Sequence, residues 1–175
     1  MQRRDLILRS ASTVAALAAQ HATASADLRI PITSPQSFES VTAANKALME
    51  KIFEGLKVAD SRLFVASVAD DVVMRVTGQY SWSRTFNGKA ALMKDLYGYL
   101  RTLVAEAGKT IPLRFIADED YVAVEARGDM VTKTGVKYDN EYCLVFRLRE
   151  GKIVELREYC DSVLTEKVLG KFPAA

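Results

Sequence analysis

Glu158, Tyr142 and Arg127 have side chains suited to proton transfer. A carboxyl can take or give a proton, a phenol can donate to an oxygen on which charge develops, and a guanidinium can hold a carboxylate ionised. Glu158 and Tyr142 belong to the run Tyr138–Asp161, which reads as a long β-hairpin. Its even-numbered side is apolar near the tip, at Leu144, Phe146 and Leu148, and polar further down, at Asn140, Tyr142, Glu158 and Cys160. A strand face that changes character in this way fits the floor and mouth of a pocket better than plain core.

Other chemistries lack their residues. The only histidine is His21. It lies in a segment with the three parts of an export signal: a charged start at Arg3-Arg4, an apolar stretch from Ser10 to Ala19, and the small residues Ala24-Ser25-Ala26. The paired arginines are similar to a twin-arginine address, which implies a periplasmic or secreted protein; a mitochondrial-type presequence and a plain cytoplasmic tail are the alternatives. A chain cleaved after Ala26 has no histidine, hence no Ser-His or Cys-His nucleophile and no histidine-based metal site. Cys143 and Cys160 are too few for a cysteine-only metal site, so neither a metal nor another cofactor is expected. Of 24 basic and 22 acidic residues, Arg3, Arg4, Arg9 and Asp5 fall in the signal, leaving 21 of each. A neutral chain without a basic block argues against nucleic acid as a partner. No run of 18 apolar residues predicts a membrane span.

The elements that must position these groups follow from periodicity. Residues 27–41, with Pro31 and Pro35, read as a lead-in. A helix is predicted from Ser40 or Thr42 to about Leu56, on a stripe of Ala44, Ala47, Leu48, Ile52 and Leu56. A short helix over about Ser61 to Val68, a strand at Val72–Val76, a loop bearing Tyr80 and Trp82, and a helix over about Lys89 to Glu106 come next. Strands are predicted at about Leu113–Ala117, Tyr121–Thr132, Tyr138–Leu148 and Lys152–Asp161, then a helix over Ser162–Leu169 capped by Asp161. Helices first and an antiparallel meander after make an α+β fold.

Turn chemistry sets the expected register. A three-residue loop Arg149-Glu150-Gly151 would place Tyr142 opposite Glu158 and Asn140 opposite Cys160. A two-residue turn at Thr134-Gly135 would place Arg127 opposite Tyr142, Asp129 opposite Asn140 and Glu125 opposite Leu144, all facing inward; a slip of one residue sends Glu125, Arg127 and Asp129 outside. Cys143 and Cys160 fall on opposite faces, so no disulfide is expected between them.

The chain resembles the SnoaL-like members of the nuclear transport factor 2-like superfamily. The resemblance rests on the order of elements and on Phe86-Asn87-Gly88-Lys89-Ala90, Tyr138-Asp139-Asn140-Glu141-Tyr142, Val145 to Ile153 and Arg157-Glu158-Tyr159-Cys160-Asp161. It covers about Thr42 to Gly170, and implies a cone of three N-terminal helices on a curved antiparallel sheet with a short C-terminal helix, residues 171–175 forming a tail. The family's limonene epoxide hydrolases are similar in an acid at the position of Glu158, but their water-holding Tyr and Asn stand where this chain has Met74 and Val76. The family's ketosteroid isomerases carry their base at the position of Val76 and their oxyanion-hole acid at Leu144. The resemblance therefore implies that steroid isomerase chemistry in its known form is absent.

What remains is a small-molecule pocket protein, possible partners being a small hydrophobic ligand and a second copy of the chain. As an enzyme it would be a cofactor-independent isomerase, lyase or hydrolase type with Glu158 as acid or base and Arg127 and Tyr142 polarising. The alternative is a non-catalytic binding protein or a dimerisation scaffold. Arg127 and Glu158 could equally just neutralise each other. Asn140 is either a ligand-orienting amide or a satisfied strand-end amide. Tyr80 and Trp82 are expected to line the mouth, with Trp82 plugging the core as the alternative, and Cys160 is either a nucleophile or, with no activating base in view, an inert buried thiol.

Overall fold

The computed structural model describes residues 35–174; the predicted export signal lies outside them. Helix α1 spans Pro35–Leu56, so it begins within the expected lead-in. Proline is tolerated in a first turn because its missing N–H would have no intrahelical partner. The buried stripe is Asn45, Met49, Ile52 and Phe53, one residue away from the predicted one, and Ala44 and Ala47 are exposed. Met49 and Phe53 bury far more apolar area than two alanines, and that difference sets the rotation of the helix. Phe53 meets Phe115 and Phe146 edge-on at 5.6 and 6.0 Å. Gly55 closes the helix: a Cβ there would meet the Asp60 carbonyl oxygen at 2.6 Å.

Helix α2 (Arg62–Ser67) leads directly into strand β1 (Val68–Val76), followed by the short β2 (Thr85–Asn87). A continuous helical stretch then runs through α3 (Lys89–Ala91), a π-helical segment (Leu92–Gly98) and α4 (Tyr99–Leu103). Strands β3 (Lys109–Asp118), β4 (Tyr121–Val131), β5 (Lys137–Tyr138), β6 (Glu141–Arg149) and β7 (Lys152–Cys160) complete the sheet, and α5 (Ser162–Leu169) closes the chain. Asp161 caps α5 as predicted, its carboxylate accepting from Val163 N and Leu164 N. The sheet order is β2-β1-β7-β6-β4-β3, with β5 paired to β4. β1 runs parallel to β7, and the other pairs are antiparallel. Among the described residues no helix is long and apolar enough to cross a membrane.

Two registers differ from expectation, and both bear on the site. In β4–β6 the pairs are Val122↔Phe146, Val124↔Leu144, Ala126↔Tyr142 and Arg127↔Glu141, a slip of one residue. Val122, Val124 and Ala126 take the inner face and are buried, while Glu125 and Arg127 are exposed on the outer face. The connecting loop has three residues, Lys133-Thr134-Gly135, with Thr132 N donating to Val136 O. Desolvating three charges costs several kcal/mol each, so the apolar alternation prevails over the turn preference.

In β6–β7 the turn is the two-residue Glu150-Gly151, both at positive φ (53° and 71°). Such a turn by itself would pair inward with outward side chains further down. Val154 supplies the correction: Leu148 pairs Ile153 and Arg147 pairs Glu155, so Val154 is an extra residue, and both it and Ile153 are buried. Below this bulge the faces are restored, but every pair has moved by two. Glu158 stands opposite Leu144, and Tyr142 opposite Cys160.

Candidate functional site

The inner face of the sheet can be followed as rows across neighbouring strands. One row is Val76–Glu158–Leu144–Val124, the next Cys160–Tyr142–Ala126. Glu158 is thus flanked on both sides by aliphatic residues. Val76 and Leu144 are apolar, and the carboxyl stands on the strand between them.

The rows form one wall of a cavity of about 250 Å³ closed over by α1, α2 and the helical stretch from Lys89 to Leu103. Phe53, Phe64, Leu96, Leu100, Leu144, Phe146 and Leu156 supply its apolar lining. The lining residues Ser61, Arg101 and Ala107 are exposed and mark the mouth. Glu158 is the only anion among the lining residues and Arg101 the only cation.

Glu158 retains partial exposure, and that surface faces the cavity. Among the described residues its carboxylate makes no hydrogen bond or ion pair; its backbone oxygen accepts from Thr77 N at 3.0 Å and Thr77 Oγ1 at 2.7 Å. Burial pushes the Glu158 carboxyl from 4.5 up to about 7, and nothing opposes the shift. Arg127, expected to oppose it, lies on the other face. Glu125 and Asp129 are likewise outside, paired with Arg114 at 3.6 Å and Lys109 at 3.7 Å. These three are surface charges and not site residues; such exposed pairs contribute about 1 kcal/mol at most.

Phenols surround Glu158. Tyr80, Tyr97, Tyr138 and Tyr142 all line the cavity. Burial holds all four hydroxyls above the ordinary tyrosine range, and the Glu158 charge adds to the effect on Tyr80, Tyr97 and Tyr142. Two of the hydroxyls are hydrogen-bonded, those of Tyr138 and Tyr80. Tyr138 Oη lies 3.1 Å from Thr165 Oγ1 and accepts from Asn140 Nδ2 at 3.0 Å. Tyr80 Oη lies 3.3 Å from Cys160 Sγ. The Tyr142 ring rests on Gly128, where a Cβ would meet its Cε2 at 3.2 Å.

Asn140 is the satisfied strand-end amide and not a ligand group. It is 1% exposed. Its Nδ2 donates to Asp161 O and Thr165 Oγ1, each at 3.0 Å, and its Oδ1 accepts from Asp161 N at 3.0 Å. It ties the start of β6 to the start of α5. Met74 is core: it is fully buried and does not line the cavity. Cys160 sits behind the lining. Burial, then the Glu158 charge, raise its thiol, which leaves it a poor nucleophile. Cys143 and Cys160 are both free.

Tyr80 and Trp82 do line the cavity, as Val76 and Leu144 do. Trp82 also belongs to an aromatic cluster at one end. It meets Tyr99 at 5.6 Å and Phe172 at 4.7 Å, and its Nε1 donates to Gly170 O at 2.8 Å. Sequence reasoning missed Tyr97, Tyr138 and Thr165. Tyr97 directly follows the buried Leu96, and nothing in an α-helical periodicity announces a π turn.

The curled sheet with helices over one face is a nuclear transport factor 2-like cone. The chain belongs to the SnoaL-like domain family, which matches residues 49–156. Among solved structures it is similar to an NTF2-like protein of unknown function from Burkholderia pseudomallei, at 18% identity over 71% of this chain and 96% of that one, with a TM-score of 0.62. It is also similar to PrhC from Penicillium brasilianum, at 15% identity over 73% and 87% of the two chains, TM-score 0.63. A third is TerC co-crystallised with polyporic acid, at 19% identity over 71% and 97%, TM-score 0.61. At these identities the likeness establishes the fold. No curated protein matches the chain.

Proposed function

We propose that this protein is a cofactor-free acid–base catalyst acting on a small, largely hydrophobic molecule, with Glu158 as the proton-transfer group. One observation carries the reading: an uncompensated carboxyl facing an apolar cavity, with its pKa pushed up to about 7. A structural carboxylate at such a depth is normally paired or hydrogen-bonded, because burying a bare charge is costly. A group half-ionised near neutrality is suited to taking and returning a proton. Isomerisation, cyclisation, dehydration and hydrolysis of a neutral substrate all need that exchange and no other reagent than water.

The test begins with native mass spectrometry of protein purified from its own host, to identify a co-purified molecule. With that molecule as substrate, Glu158→Gln lowers turnover at least ~10²-fold and leaves binding largely intact. Turnover that relies on the carboxylate as base rises with pH through about 7. Unchanged turnover in Glu158→Gln would remove the catalytic reading.

A second reading, a binding protein for a lipid-like or aromatic ligand, draws support from the mainly apolar cavity and from TerC, whose structure holds polyporic acid. Under either reading the protein is exported by its twin-arginine-like signal. It pairs as a homodimer over the outer sheet face, where Tyr121 and Tyr159 are more than 40% exposed. Sedimentation at micromolar concentration checks the pairing: a monomer would count against it.

A further inference from the structure

The cavity has two charged side chains, Glu158 on the sheet wall and Arg101 among the exposed residues of the mouth. Arg101 differs from the other arginines. The guanidinium groups of Arg62, Arg84, Arg114, Arg147, Arg149 and Arg157 each have a partner. Among the described residues only those of Arg75, Arg101 and Arg127 have none. Arg75 and Arg127 lie on the outer sheet face, so Arg101 is the one that meets the cavity. Asp60, the acid next to the lining residue Ser61, is already taken: Arg62 Nε and Nη2 donate to its two carboxylate oxygens at 2.9 and 2.6 Å. The hydroxyls of Ser61 and Thr110, also in the lining, have no hydrogen bond among the described residues.

A guanidinium at the rim of an apolar cavity is an anion site in search of an anion, and its planar fork matches a carboxylate. The cavity sets which way such a ligand enters. A carboxylate pushed inside would lose its hydration among Phe53, Leu144 and Phe146 and meet the like charge of Glu158. At the mouth it keeps part of its water and pairs with Arg101. The apolar body then points inward, and the end that reaches Glu158 is neutral. Attraction at the rim and repulsion inside select the same orientation.

We propose that Arg101 anchors the ligand, and that the ligand is an apolar monocarboxylate, with its ring system inside the cavity and its carboxylate at the mouth. Arg101 is a specificity-determining residue and does not touch the reacting atoms. The anchor rests on the cavity being the ligand site. That Glu158 meets a reacting end rests on the acid–base reading.

The probes are 2-naphthoate and its neutral amide, 2-naphthamide, two bicyclic molecules of one shape and of a size suited to the cavity. Isothermal titration calorimetry on the full-length protein at low salt and pH about 7 shows 2-naphthoate binding about tenfold more tightly than the amide. Arg101→Gln weakens 2-naphthoate about tenfold and leaves 2-naphthamide unchanged. Arg101 is exposed and unpaired, so the variant folds as the wild type does. Arg127→Gln, on the outer face, changes neither affinity. Equal affinities in the wild type, an equal loss of both ligands in Arg101→Gln, a loss of 2-naphthoate as large in Arg127→Gln, or no binding of 2-naphthoate at millimolar concentration would each overturn the proposal. This binding involves no proton transfer, so it stands or falls apart from the acid–base reading. An Arg101-dependent preference together with unchanged turnover in Glu158→Gln supports the anchor and removes Glu158 as the catalytic group.

Discussion

At Glu158 the balance between desolvation and a neighbouring cation is settled by which face Arg127 occupies. With Arg127 outside, only desolvation acts, and a linkage follows. The folded-state pKa of about 7 lies above the unfolded value of 4.5, so folding holds a proton that the unfolded chain has released. Stability is therefore highest below pH 4.5, falls as pH rises toward 7, and levels off above that. The full penalty is about 3 kcal/mol. Glu158→Gln abolishes it, so the variant gains on the wild type at pH 8 and not at pH 4, as urea titrations at the two values will show. Arg127→Ala changes stability by no more than about 0.5 kcal/mol. It leaves turnover untouched; a large loss of turnover would mean that the guanidinium reaches the cavity after all.

Two local irregularities place the site at the level of the elements. The Val154 bulge brings Glu158 opposite Leu144 in place of Tyr142. The π turn swings Tyr97 over the cavity. Asn140 joins β6 to α5, so its loss is felt as an element coming loose. Asn140→Ala strands the Asp161 amide, and should cost about 1–3 kcal/mol by denaturant titration. Faster hydrogen exchange should be concentrated in α5. Uniform loosening of the whole sheet would instead deny Asn140 its clamping role.

At the scale of the molecule the end of the chain helps to close the fold. Phe172 is buried against Trp82, Phe86 and Tyr99, with the Arg84 guanidinium 4.1 Å from its ring centroid. Phe172 N donates to Ser81 Oγ at 2.9 Å, and Ser81 N donates to Glu166 Oε1 at 2.8 Å. The loop bearing Tyr80 and Trp82 and the residues after α5 therefore hold one another in place. Phe172→Ala should cost about 3 kcal/mol. Trp82, the only tryptophan, provides the readout: its emission moves to the red as water reaches it. An unshifted emission would mean that the cluster is sealed without Phe172.

The sequence by itself determined the order of the main helices and strands, the α5 cap at Asp161, the polar end of the C-terminal hairpin and the inward face of Glu158. Each of these is written in residue type or short-range periodicity, which local sterics and hydrophobicity translate directly. Tertiary structure decided which faces Glu125, Arg127 and Asp129 take, which residue stands opposite Glu158, and which tyrosines line the cavity. A one-residue slip leaves each strand's own alternation intact, so only the cost of burying three charges against burying Val122, Val124 and Ala126 separates the alternatives. That cost exists only once the helices have closed over the sheet.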